Sequence, residues 1–107
     1  MQDLTVHAEI SIIAISPGSD TSMSREVAAA FEAIRRVEGV KATLTALGTQ
    51  IEAENLDQVV AAIRSAHQAA RQSGAARIIS SVRIDERFDK VQTLRDKVHS
   101  VEQKLSS

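Results

Sequence analysis

The chain has 107 residues, with 13 lysines and arginines against 14 aspartates and glutamates, and its basic residues are scattered rather than gathered into a patch. That balance disfavours nucleic-acid binding, and with Phe31 and Phe88 as the only aromatics there is no base-stacking platform. Without cysteine there are no disulfides, thiol nucleophiles or cysteine-type zinc sites, and the length is that of one domain over residues 1–107, with no room for a second core. The first residues, MQDLTVHAE, lack a basic region leading into an apolar stretch, and no run approaches the length of a membrane span. A soluble, cytoplasmic protein is the expectation.

The first predicted element is a strand, Val6 to Ile15. Alternation puts Val6, Ala8, Ile10, Ile12 and Ala14 on one side and His7, Glu9, Ser11, Ile13 and Ile15 on the other. The first side is uniformly apolar. The second mixes a carboxylate and a hydroxyl with isoleucines, which suits a central strand whose second face is covered by something else. Glu9 then pairs with a cross-strand arginine or meets a ligand.

Ser16-Pro17-Gly18-Ser19-Asp20 reads as a turn, with Thr21 or Ser22 capping a helix from Ser22 to Val37. Met23, Val27, Ala30, Phe31, Ile34 and Val37 form its apolar stripe, Arg25, Glu26, Glu32, Arg35 and Arg36 lie off it, and Gly39 ends it. Nothing in the turn resembles a phosphate-cradling glycine motif. Lys41 to Leu47 and Thr49 to Glu54 alternate as two strands of a hairpin about Gly48. Ala42, Leu44, Ala46, Ile51 and Ala53 face the core there, Thr43, Thr45, Gln50 and Glu52 face away, and Thr49 is left open by the glycine. Asn55, with Gln58 three residues on, caps a second helix whose stripe is Leu56, Val59, Val60, Ile63, Ala66, His67 and Ala70, closed by Gly74.

Ala75 to Ile84 is the last strand, with Ile78, Ser80, Val82 and Ile84 on one side and Arg77, Ile79, Ser81, Arg83 and Asp85 on the other. Thr93 and Asp96 open a final helix in which Leu94, Val98, Val101 and Leu105 recur at 4-3-4 spacing, a narrow stripe that docks on its own sheet or on a partner's. His67 reads as a satisfied boundary histidine. The three histidines show no metal-ligand spacing, and no nucleophile elbow accompanies the serines, so neither an enzyme nor a metal or cofactor site is indicated.

The order β-α-β-β-α-β plus a terminal helix predicts an α+β, ferredoxin-like antiparallel sheet. Both crossover helices then cover one face, while Glu9, Ser11, Glu52, Ser81 and Arg83 gather on the other beside Ile13, Ile15 and Ile79. An apolar patch of that kind calls for a cover, and oligomerisation supplies one.

Four motifs in this order, AEISIIAI, DTSMSREV, LGTQIEAE and ARIISSVRIDERFDK running into DKVHSV, closely resemble the small thiamine-binding protein family, the YkoF-like group, over nearly the whole chain. Ala14 and Ala46 depart from it, standing where relatives often carry proline. The resemblance implies a ferredoxin-like fold, sheets paired into homodimers and often homotetramers, and binding of thiamine or its hydroxymethylpyrimidine precursor without chemistry. A carboxylate such as Glu9 or Glu52 would offer a thiazolium cation about 4 kcal/mol at about 4 Å in an effective dielectric of about 20, before desolvation. Ser11, Thr49, Ser81 and Asp85 answer the aminopyrimidine in this reading, and Arg83 orients the carboxylates. Two readings compete with it: a cross-strand salt-bridge ladder of Glu9, Glu52 and Arg83, and a structural or regulatory homo-oligomer whose pocket is vestigial.

Overall fold

In the computed structural model, which describes residues 5–18 and 21–106, the elements run β1 (Val6–Ile15), α1 (Ser24–Arg35), β2 (Val40–Leu44), β3 (Thr49–Ala53), α2 (Leu56–Gln72), β4 (Arg77–Glu86) and α3 (Leu94–Leu105). The four strands make one antiparallel sheet in the order β2-β3-β1-β4, with β1 inside as its sequence requires. This is the α+β, ferredoxin-like arrangement with an added C-terminal helix. Of the turn expected after β1, Ser19 and Asp20 lie outside the described residues.

The apolar side of β1 is the core. Val6, Ala8 and Ile10 pack with Ile51 and Ala53 of β3, with Ala30 and Ile34 of α1, and with Val59, Ala62 and Ala66 of α2. Leu56 and Val60, expected in the α2 stripe, are exposed. The helix packs instead through Val59, Ala62, Ala66 and Ala70, whose small side chains let its backbone approach closely and roll the two larger residues outward. His67 sits at the edge of this face with its Nε2 2.7 Å from the Ser80 hydroxyl, so it is a partnered boundary residue.

Each helix entry solves its own hydrogen-bonding problem. Met23, not Thr21 or Ser22, occupies the N-cap position of α1, with no side-chain cap; the Ser22 hydroxyl reaches the Ser24 hydroxyl and amide instead. Asn55 Oδ1 accepts from the Gln58 amide as expected, but Gln58 Oε1 takes the Glu54 amide rather than that of Asn55. Thr93 and Asp96 make the full reciprocal box of α3.

The two ends of the chain differ in packing. The first turn of α3 meets the sheet, where Lys97 Nζ bonds Asp85 Oδ2 at 2.6 Å, while no residue of the helix is buried. The radius of gyration is 15.2 Å, against about 13 Å for a compact chain of about this length. Val98, Val101 and Leu105 are exposed, as are Ile13, Ile15 and Ile79 on the uncovered sheet face.

Candidate functional site

Strand pairing sets the site. Across the uncovered face, His7 of β1 stands between Glu52 of β3 and Asp85 of β4, the next row is Gln50, Glu9 and Arg83, and the row after that pairs Ser11 with Ser81. Ile13 and Ile79 follow. Polar groups therefore collect at one end of the face and aliphatic ones at the other, a gradient created by the alternation of β1 and β4 acting together.

A cleft of about 240 Å³ opens over the polar end, lined by His7, Glu9, Gln50, Arg83 and Asp85, with Leu94 and Lys97 of α3 on its rim. Glu9 and Arg83 are register partners, yet among the described residues no ion pair joins them. The salt-bridge ladder of Glu9, Glu52 and Arg83, the alternative to a ligand site, is thus not formed within the subunit. Asp85 is engaged from the other side by Lys97, whose hydrogen bond and charge hold the carboxyl below its ordinary range. His7 and Glu52 are both only 5% exposed, and among the described residues His7 Nε2 and Glu52 Oε2 have no hydrogen-bond partner.

A second cleft, about 260 Å³, lies at the other end of β1 between α1 and the β2–β3 turn. Met23, Val27 and Ile34 form its α1 wall, Leu44 and Leu47 its hairpin wall, and Ser11, Gly48 and Thr49 its polar edge. The turn is held by the Thr45 amide and hydroxyl, which both donate to the Gly48 carbonyl at 2.8 and 2.7 Å. It is pinned to β1 by the Ser11 hydroxyl, which donates to the Leu47 carbonyl at 2.8 Å. Gly48 makes this close approach possible, because a Cβ there would stand 2.9 Å from the Ile10 carbonyl oxygen and 3.0 Å from Ser11 Oγ. Ala46, expected to face the core, is exposed because β2 ends at Leu44 and residue 46 falls in the turn.

The seven residues singled out in the sequence therefore divide. Glu9, Arg83 and Asp85 share the sheet-face cleft; Ser11 and Thr49 line the hairpin cleft; Glu52 is buried beside His7; Ser81 is exposed on β4 opposite Ser11. Thr49 is buried, opposite Ile10 on the helix-covered side, away from Glu52. His7, which lines the sheet-face cleft, is not among the seven. Its one signal was position, a histidine two residues before Glu9 on the mixed face of a central strand.

Glu26 was misplaced in the other direction. Expected off the α1 stripe, it is 4% exposed and accepts a 2.8 Å hydrogen bond from the Ser16 hydroxyl, which, ahead of its backbone hydrogen bond and the nearby Arg25, holds its carboxyl below the ordinary 4.5. Among the described residues no group of three or more histidines and carboxylates could hold a metal ion, and no helix is long and apolar enough to cross a membrane.

Residues 8–102 match the family model of the thiamine-binding proteins. A UPF0045 protein of Methanothermobacter thermautotrophicus is 40% identical over 100 residues, spanning 94% of this chain and 99% of the relative. The crystal structure of hypothetical protein MJ1052 from Methanocaldococcus jannaschii superimposes with a TM-score of 0.78 at 34% identity over 92% of this chain and 96% of that one. A Thermotoga maritima protein whose name assigns it provisionally to thiamine biosynthesis or salvage shares the fold, with a TM-score of 0.70 at 19% identity over 90% of this chain and 97% of that one.

Proposed function

The chain belongs to the thiamine-binding protein family, and from that premise we propose that it binds thiamine or its hydroxymethylpyrimidine precursor, without catalysis, on the uncovered face of the sheet. The observation that carries this reading is the unpaired Glu9. A carboxylate that faces Arg83 in register and still forms no ion pair is available to a cation arriving in the cleft, and the thiazolium of thiamine is such a cation. Arg83 and Asp85 line the same cleft, while Ser11 and Ser81 stand further along the face, at the reach of a longer ligand or a second one; Thr49, buried on the helix-covered side, leaves this group.

The test is a pair of measurements on Glu9→Gln, which keeps shape and removes charge. Titration calorimetry is expected to show thiamine weakened about tenfold or more and the neutral hydroxymethylpyrimidine much less, with the melting temperature unchanged. Equal affinities in wild type and variant would take Glu9 out of the site. A non-catalytic role also requires that thiamine and its phosphates come back unchanged after incubation. A hydrolysis rate that scales with protein and disappears on substitution of Glu9 or His67 would replace the binding protein with an enzyme.

A homo-oligomer, dimer or tetramer, belongs to the same reading, because Ile13, Ile15, Ile79 and the α3 residues Val98, Val101 and Leu105 are apolar and exposed and a second copy would cover them. Val98 and Val101 are each 58% exposed, so Val98→Asp with Val101→Asp costs the isolated subunit little. The pair is expected to lower the mass measured by sedimentation equilibrium while leaving helix content intact. The same patch favours the second reading, an oligomer with a vestigial pocket, and calorimetry with no heat for either pyrimidine would select it. Placement in the cytoplasm fits either case and is read by fractionation.

A further inference from the structure

We infer that His7, which lines the sheet-face cleft, and Glu52, buried beside it on β3, form a donor-acceptor pair that reads the edge of a planar heterocycle on which an amino group stands next to a ring nitrogen; this deepens the small-molecule reading proposed above and rests on it. The two residues are directly opposite on β1 and β3. Both are 5% exposed, and each has a buried polar atom, His7 Nε2 and Glu52 Oε2, without a partner. Folded proteins leave few buried polar groups unanswered, because each costs the hydration it has lost. Here two occur side by side, and they do not satisfy one another.

The neighbours do not answer them either. Asp85, on the other side of His7, is held by Lys97, and Lys41, paired with Glu52 from β2, is exposed and joins none of the ion pairs among the described residues. What would answer both atoms at once follows from their chemistry. A carboxylate oxygen accepts; an imidazole Nε2–H donates. Their complement is an N–H donor beside an acceptor, the amino and ring-nitrogen edge of an aminopyrimidine.

Other ligand classes fit worse. An aliphatic ammonium would answer Glu52 and leave His7 unanswered, and an anion, though Arg83 lines the same cleft, would meet like charge at Glu52 instead of answering it. A thiazolium has no N–H to give. The assignment therefore orients the ligand, amino edge toward His7 and Glu52, cationic ring toward Glu9 two residues along the same face of β1.

The experiment is titration of wild type, His7→Leu and His7→Gln with thiamine and with its analogue in which an oxo group replaces the amino group, beside thermal melts of the free proteins. Wild type is expected to favour thiamine over the oxo analogue. His7→Leu should weaken thiamine about ten- to a hundredfold, erase most of that preference, and raise the melting temperature of the free protein, since an apolar group replaces an unanswered polar one. His7→Gln, with an amide N–H near the position of Nε2, should restore much of the affinity. A His7→Leu protein that binds thiamine as wild type does, or a wild type that treats the two ligands alike, would overturn the pair's role while leaving the ligand class standing. A wild type that binds no pyrimidine would remove the ligand class and the inference with it.

Discussion

Two glutamates in this chain are buried to nearly the same degree and have opposite surroundings. Glu26, at the start of α1, accepts from the Ser16 hydroxyl and lies 3.7 Å from the Arg25 guanidinium; Glu52, in the middle of β3, has an oxygen with no partner. The first corner is finished within the subunit and its carboxylate belongs to the scaffold. The second lies on the uncovered face, beside a histidine equally unanswered, and folding gains nothing evident from keeping it there. A buried carboxylate is thus evidence of function only when its surroundings fail to answer it.

The largest expected effect sharpens this contrast on adjacent residues of one strand. Ile51 is fully buried on the helix-covered face, so Ile51→Ala removes packed atoms and leaves a cavity, a loss of about 2–5 kcal/mol. Glu52→Gln, one residue on and on the opposite face, is expected not to lower the melting temperature at all, because a neutral amide takes the place of an unanswered charge. Chemical denaturation of the two variants compares them directly. A Glu52→Gln protein as damaged as Ile51→Ala would show that Glu52 holds the fold together.

Most of the fold was legible because it depends on periodicity. The strands β1 and β4, the existence of α1 and α2 and the Thr93–Asp96 box needed only near neighbours, and these are the parts the structure reproduces. What was not legible depended on which elements meet. Glu26 looks like a solvated helix residue until the chain after β1 brings Ser16 to it. Leu56 and Val60 look buried until the alanines of α2 set how closely the helix sits. Thr49 was left open by Gly48, and the pairing of Leu44 with Thr49 decides its side. The candidate site residues look like one group in the sequence, but the pairing along β1 puts Glu9, Arg83 and Asp85 in one cleft and Ser11 and Thr49 in another, and leaves Glu52 and Ser81 in neither.

A smaller effect tests the finished corner. The Ser16 hydroxyl is the main cause of the lowered Glu26 pKa. A carboxyl whose folded pKa lies below its unfolded value binds fewer protons folded than unfolded, so its contribution to stability is present above the ordinary value of 4.5 and is lost as pH falls through the folded value. Ser16→Ala is expected to lower the melting temperature near neutral pH, with the gap to wild type closing as pH falls below 4.5. A gap that stays constant on acidification would mean that Ser16 acts through packing rather than through the Glu26 charge.

The smallest effect concerns the contact between α3 and the sheet. Lys97 and Asp85 are both partly exposed, the lysine at 33% and the aspartate at 62%, and an ion pair so placed adds little to stability because water and salt screen it. Its lowering of the Asp85 pKa acts in the same direction as that of Glu26: stability present above 3.8 and lost as pH falls through the folded value. Lys97→Met keeps the apolar stem and removes the charge, so the melting temperature should hardly move while the Asp85 carboxyl, followed by NMR titration, rises toward 3.8. The ligand response should be larger than the stability response, because Asp85 lines the sheet-face cleft and Lys97 competes with any cation that enters it. Thiamine is therefore expected to bind Lys97→Met more tightly than wild type, most visibly at low ionic strength. Unchanged thiamine affinity with a shifted Asp85 pKa would put that carboxylate outside the cation's reach, and the open face would then offer Glu9 alone as the charge that meets the thiazolium.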